Sequence, residues 1–252
     1  MRKLFLLLSL VSFGTVFAFA GNKVVAHRGY WKAEGASQNS RASLQKALDL
    51  NVYGSEIDIW LTTDGKIMVN HDATFKNVVL QKSTYKQCKK LVLSNGEHMP
   101  QLKDMLRIMK TTKSKTKLII EIKSHEVEEH NRMAARAAMK AVKKYGVVDK
   151  VEYISFNLEA CKEVAKLDKN ARIAYLSSDK SPAELHKLGI NGIDYVIHSL
   201  REHPEWIRQA HDLGMTVNVW TVNSKKDIEE MNQAGVDYIT TDEPVLAAEL
   251  TR

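Results

Sequence analysis

Glu56 and Asp58 lie two residues apart in the apolar, partly β-branched run Ser-Glu-Ile-Asp-Ile-Trp-Leu at 55–61. Side chains of a strand alternate faces, so both carboxylates project to the same side. Two desolvated like charges on one face repel each other unless a cation sits between them. Oxygen donors of this kind suit a hard divalent cation, Ca²⁺ or Mg²⁺. The competing reading is a surface strand with two solvated acids. The run turns at Thr63-Asp64-Gly65 and returns through 66–70, delivering His71 and Asp72 close by. Asp-Gly between two strand-like runs is a strong hairpin signal.

The elements that must position these groups recur along the chain. Strand-like runs are expected at 23–26, 55–61, 117–122, 151–155, 172–176, 195–198, 216–220 and 238–241. Helical patterns separate them at 40–50, 101–109, 128–145, 158–167, 182–188, 204–213 and 225–234, and a last one at 244–250 closes the chain. Ser181-Pro182 marks a helix start, and Gly146, Gly189, Gly214 and Gly235 fall just past helix ends. Eight strands alternating with eight helices predict an α/β fold, a (β/α)₈ TIM barrel with a short hairpin extension after strand 2. A doubly wound open sheet is the alternative, but no Gly-x-Gly-x-x-Gly turn supports its dinucleotide form.

Chemistry in such barrels gathers at the carboxyl ends of the strands. The polar residues there form one set: His27-Arg28 after the first strand, Glu56 and Asp58 on the second, His71-Asp72 after its hairpin, and Glu121-x-Lys123 on the third. Later ends offer Ser155, His198, Trp220 and Asp242. Each has a bland reading: a core histidine, an Arg28 pair with Asp242 or Glu56, a Glu121–Lys123 pair, a packed tryptophan. Together they suit phosphoryl transfer. A metal held by Glu56, Asp58 and Glu121 would neutralise phosphate oxygens. Arg28 and Lys123 would add fixed positive charge. His27 and His71 are the acid/base pair, one deprotonating the attacking hydroxyl and the other protonating the leaving oxygen.

The order His27-Arg28-Gly29, Glu56-x-Asp58, His71-Asp72, Glu121-x-Lys123 and Asp242-Glu243-Pro244 resembles the glycerophosphodiester phosphodiesterase family, over about residues 23 to 250. The resemblance implies a barrel enzyme that hydrolyses glycerophosphodiesters to glycerol 3-phosphate and an alcohol with one divalent cation. It also implies His27 and His71 as catalytic residues, Glu56, Asp58 and Glu121 as metal ligands, and Arg28, Lys123 and Trp220 as substrate contacts. Two departures stand out. The family's Pro-Glu-Asn-Thr run reads Ser37-Gln38-Asn39-Ser40, and the Arg-Thr pair after the second histidine is absent from Asp72-Ala73-Thr74-Phe75-Lys76-Asn77. The first is expected to alter loop packing more than catalysis; the second, with the fairly short loop over 73–101, falls where the leaving alcohol is expected. A phospholipase acting on intact lipids and a non-catalytic envelope binding module are the alternatives. The first predicts an apolar lip, the second a lost histidine or ligand.

The two ends of the chain bound its setting. Arg2 and Lys3, the apolar stretch 4–19 and Ala18-Phe19-Ala20 read as a signal peptide cleaved after Ala20. The expected product is a periplasmic or secreted protein of one domain, residues 21–252, with no stable membrane insertion. Without Arg2 and Lys3 the formal net charge falls from +7 to +5. The lysines are dispersed and not interleaved with aromatics, so no nucleic-acid partner is expected. Oligomeric state is not legible. Cys88 and Cys161 fall within expected helices and read as buried thiols.

Overall fold

A computed structural model describes residues 23–251. The expected leader, 1–20, lies outside them. Eight parallel strands form the barrel: β1 (Val24–Ala26), β2 (Gly54–Leu61), β6 (Lys117–Ile122), β7 (Val151–Ser155), β8 (Ile173–Tyr175), β9 (Gly192–Val196), β10 (Thr216–Trp220) and β11 (Tyr238–Thr241). Each pairs with the next, and β1 pairs with both β11 and β2, which closes the ring.

Around it run α1 (Arg41–Leu50), α3 (Leu102–Thr111), α4 (Glu128–Tyr145), α5 (Leu158–Leu167), α6 (Pro182–Lys187), α8 (Glu205–Asp212), α9 (Lys225–Ala234) and α10 (Pro244–Leu250). Ser40 and Ser181 cap α1 and α6 by accepting from the amides of Ser43 and Glu184, which satisfies orphan donors of the first turn. Outward strand residues such as Ile57, Ile59, Ile120 and Ile122 pack under these helices in one continuous core. Inward residues Val25, Ile119, Ile154 and Leu176 fill the barrel itself. Tyr53 stacks on Tyr238 at 3.8 Å below them. Gly54 is required here, because a Cβ would meet the Ile119 side chain at 2.8 Å.

β1 is so short that only the lower half of β2 has it as a neighbour. The upper half pairs instead with antiparallel β3 (Ile67–Val69), Ile59 opposite Val69, across the Thr62–Lys66 turn. This is the expected hairpin. The amide of Asn70 donates to the carbonyl of Asp58 at 3.0 Å. His71 is therefore fixed one residue beyond a backbone bond to a strand-2 acid. The excursion continues through a small hairpin, β4 (Thr74–Phe75) and β5 (Val78–Val79), and the helical turn α2 (Tyr85–Cys88). A satellite core containing Trp60, Met68, Leu80 and Leu93 lies beneath it. Both cysteines are buried and unbonded.

One strand is displaced from its expected place. β9 spans Gly192–Val196 rather than 195–198, and the chain passes directly into α7 (Ile197–Glu202). His198 is thereby carried off the barrel end. Its side chain is 75% exposed and pairs with Glu202, so it belongs to no strand-end cluster. The inward position on this strand belongs to Asp194.

Candidate active site

β2 and β6 are in register with Asp58 beside Glu121 and Glu56 two positions below, all inward. One oxygen from each of Glu56, Asp58 and Glu121 lies within 4.8 Å of the others. All three are buried. Burial and the neighbouring carboxylates push Glu56 well above its ordinary range, and they push Glu121 up to about 8. Burial acts on Asp58 in the same sense, but Lys123, Asn39 and the cationic surroundings hold it below the usual carboxylate value. Lys123 Nζ lies 3.2 Å from Asp58 and 2.8 Å from Glu121. Burial alone would lower the lysine; the two carboxylates raise it.

Glu56 Oε1 nevertheless accepts no hydrogen bond, and Glu121 Oε1 has only the ion pair with Lys123. A buried carboxylate oxygen left as Glu56 Oε1 is left is costly, and a cation would satisfy it. Three carboxylates against Arg28 and Lys123 also leave a formal charge of −1, which a divalent cation and a singly charged phosphodiester together would bring to zero. The residues present therefore fit a divalent metal.

His27 and Arg28 follow β1 on a loop that turns back sharply. Arg28 has φ +55° and Gly29 φ +76°. A Cβ on Gly29 would come within 2.4 Å of Ser43, so only glycine fits. This conformation aims the Arg28 amide at Glu56 Oε2, 2.7 Å away. The guanidinium reaches Gln38 at 2.8 Å and stands 4.0 Å from Asp58. Gln38, where the family resemblance has an acid, thus accepts from Arg28. His27 Nδ1 is assigned as donor to Asp242 at 2.9 Å, which leaves Nε2 unprotonated, and Arg28 Nε donates to it at 3.2 Å. His71 repeats the arrangement, with Nδ1 2.7 Å from Asp72. Burial lowers the His71 pKa. Both histidines line one hollow of about 110 Å³ with Arg28, Glu56, Glu121 and Trp220. Trp220 is fixed by its indole N–H on the carbonyl of Asp194 and by an edge contact with Phe156.

Of the expected strand-end residues, His27, Arg28, Glu56, Asp58, His71, Glu121, Lys123 and Trp220 come together. Ser155 does not join them; its hydroxyl donates to the carbonyl of Ile122 and serves the strand. Asp242, also among the expected strand-end residues, joins them through His27, whereas Asn39 enters the site from outside that set. Asn39 donates to Asp58 Oδ2 at 2.7 Å and accepts from the Asp58 amide at 3.0 Å. Asp242 accepts from His27, Trp31 and Asn223, and these donors outweigh its partial burial to hold its carboxyl well below the ordinary range. The signal for Asn39 was present in its retention within the altered Ser-Gln-Asn-Ser run. Asn39→Ala is expected to orphan the buried Asp58 amide and cost about 1–3 kcal/mol, with weakened cation binding. Thermal melts and cation titration check both; an unchanged pair of values would remove Asn39 from the site.

Asp194 lies deeper in the barrel. Its Oδ2 accepts from Asn218 at 3.0 Å, Oδ1 has no partner, and burial pushes its pKa up to about 7. The folded state keeps this proton after the unfolded chain has lost it, so stability falls as pH rises from the ordinary carboxylate range to about 7. Asp194→Asn is therefore expected to stabilise the protein at pH 8 by a few kcal/mol, and less at pH 5. Parallel melts at the two pH values decide; equal shifts would contradict it.

A closed parallel barrel with acids, histidines and cations converging at its carboxyl-terminal mouth defines a (β/α)₈ phosphoric diester hydrolase. More particularly, the chain belongs to the glycerophosphoryl diester phosphodiesterase family, whose sequence profile matches residues 27–246. It is 29% identical over 244 residues to a glycerophosphodiester phosphodiesterase of Caldanaerobacter subterraneus subsp. tengcongensis, covering 91% of this chain and 97% of that one. It is similar to the crystal structure of a glycerophosphodiester phosphodiesterase from Parabacteroides distasonis, with 45% identity, TM-score 0.90, and 92% and 97% of the two chains covered. The fold is also that of an Oleispira antarctica phosphodiesterase solved with the product sn-glycerol-3-phosphate, at 20% identity, TM-score 0.76, and 90% and 94% coverage.

Proposed function

We propose that this protein hydrolyses glycerophosphodiesters to glycerol 3-phosphate and an alcohol, using Ca²⁺ or Mg²⁺ held by Glu56, Asp58 and Glu121. The observation that carries this reading is the gathering of the three carboxylates within 4.8 Å of one another, beside two histidines that line the same hollow. A divalent cation there supplies charge neutralisation and Lewis acidity at the phosphate oxygens. Arg28 and Lys123 orient the phosphate and offset the charge that develops on it. Trp220 forms an apolar wall of the hollow, with Phe156 and Leu176, that limits water. His27 and His71 each have Nδ1 anchored by a carboxylate; His71 presents Nε2 to the reacting atoms, and His27 does so as Arg28 Nε turns from it to the phosphate. One takes the proton of the attacking water and the other returns a proton to the alcohol oxygen as its P–O bond breaks.

Supporting the small diester over an intact lipid, the exposed large apolar side chains Val127, Met133, Val148, Leu167, Leu188 and Val245 border neither the hollow nor the groove beside it. Against a non-catalytic module, all five positions for acid, base and metal are filled. The test is glycerol 3-phosphate release by the purified protein from glycerophosphoglycerol, glycerophosphoethanolamine and glycerophosphocholine. No release with added Ca²⁺, Mg²⁺ or Mn²⁺ would sink the reading. Export with cleavage after Ala20 is part of the same proposal. It predicts an envelope or culture-medium species starting at Gly21, and a cytoplasmic full-length product would contradict it.

A further inference from the structure

Resting on the hydrolytic reading above, we propose that the leaving alcohol is an uncharged, hydroxyl-rich group, a polyol such as glycerol or inositol, rather than a choline-type cation. His71 borders both the hollow that holds the acidic trio and a larger groove of about 560 Å³. A diester with its phosphate in the hollow can therefore lay its alcohol along the groove, past His71. Trp31, Ser37, Gln38, Asn70, Phe75 and Lys76 are among its walls.

Quaternary ammonium groups are recognised by open aromatic faces. Two aromatic rings line this groove, and each already carries an ammonium. Lys32 Nζ lies 5.4 Å from the ring centre of Trp31, and Lys76 Nζ lies 5.5 Å from that of Phe75. Neither lysine is a loose surface chain. Lys32 is paired with the Glu243 carboxylate, and Lys76 donates to the carbonyl of Val92 at 2.8 Å. The turn that sets Lys76 is itself demanding, with Lys76 at φ +46° and Asn77 at φ +64° between β4 and β5. Positive φ at both central residues is what a two-residue hairpin turn of this hand requires, and this turn places the Lys76 ammonium at the groove. An incoming cation would find its preferred faces taken and two ammonium groups beside it, against one lining carboxylate, Asp72, which is already paired with His71 at 2.7 Å.

The remaining lining suits hydroxyls. Ser37 is 8% exposed, and its Oγ has no hydrogen-bond partner. It lines the groove, where a substrate hydroxyl would complete it. Gln38 uses Oε1 to accept from Arg28, which leaves its amide N–H groups for a ligand oxygen. Hydrogen-bonding walls of this kind discriminate strongly for partners that fill them.

The test compares kcat/KM of the purified full chain on glycerophosphoglycerol and glycerophosphocholine. The wild type is expected to favour the glycerol diester by about tenfold or more. Lys76→Gln is expected to narrow that ratio at least about threefold by raising kcat/KM on the choline diester. Ser37→Ala is expected to raise KM for the glycerol diester several-fold with kcat retained, and with no loss of stability because its hydroxyl holds nothing in the fold. Equal or better use of the choline diester by the wild type overturns the proposal. So does a ratio that neither variant moves. No turnover of either diester with added divalent cation overturns the parent reading, and this one with it.

Discussion

Replacing Glu56 with glutamine is expected to lower turnover by about 10³-fold or more and, in the presence of chelator, to raise the melting temperature. The two effects have one cause. Glu56 is buried beside Asp58 and Glu121, its Oε1 accepts no hydrogen bond, and its carboxyl is held well above the ordinary range by burial and like charge. An acid whose folded-state pKa is raised loses stability as pH climbs from its unfolded value toward the raised one. Glutamine is nearly isosteric, keeps an oxygen for the Arg28 amide and adds donors toward the two remaining carboxylates. It removes the repulsion, so the metal-free fold gains a few degrees of Tm, at roughly 2–4 °C per kcal/mol for a domain of this size. It also removes one of three ligands. Losing several kcal/mol of transition-state stabilisation corresponds to about three decades in rate. Melts in chelator and steady-state kinetics with saturating cation measure the two halves. A variant that is both less stable and fully active would refute the metal assignment.

His71→Ala is expected to lower kcat by about 10² to 10⁴-fold, the usual contribution of a positioned acid or base. Little of the fold depends on this side chain, which is 38% exposed and makes its one polar contact with the neighbouring Asp72. Its Tm is expected to stay within a degree or two of wild type. The pH–rate profile separates catalysis from structure. Burial lowers the His71 pKa, so the limb that titrates with it lies below the ordinary imidazole value of about 6.5. That limb is expected to disappear in the variant. A profile of unchanged shape at reduced rate would make His71 a positioning group only.

Most of this barrel was legible because its strands obey local rules. The β2 run alternates acid and isoleucine across two environments, the barrel mouth and the helix layer, and the alternation survives in the structure. The metal trio followed from that periodicity once β6 was placed as the next strand. The misread strand has an equally local cause. Tyr195–His198 looked like the apolar run, but β9 starts at Gly192, where a Cβ would meet Thr216 at 2.8 Å and Ala174 at 2.9 Å. A glycine chosen for close strand packing reads in sequence as a break. α7 then begins without a turn residue, which hid the fate of His198. Asn39 escaped as a site member, and Asp242 as the partner of His27, because these roles depend on contacts across 19 and 215 residues of chain. The excursion at 73–101 has short elements organised by its own satellite core, a tertiary cause that periodicity does not register.

The most direct test of the account is glycerol 3-phosphate release from a glycerophosphodiester before chelation, after removal of divalent cations, and after their return. Wild-type activity is expected to vanish on chelation and to recover with Ca²⁺ or Mg²⁺, while Glu56→Gln stays inactive throughout. Release that survives chelation undiminished, or that persists at the wild-type rate in Glu56→Gln, would contradict a metal-dependent centre built on Glu56, Asp58 and Glu121.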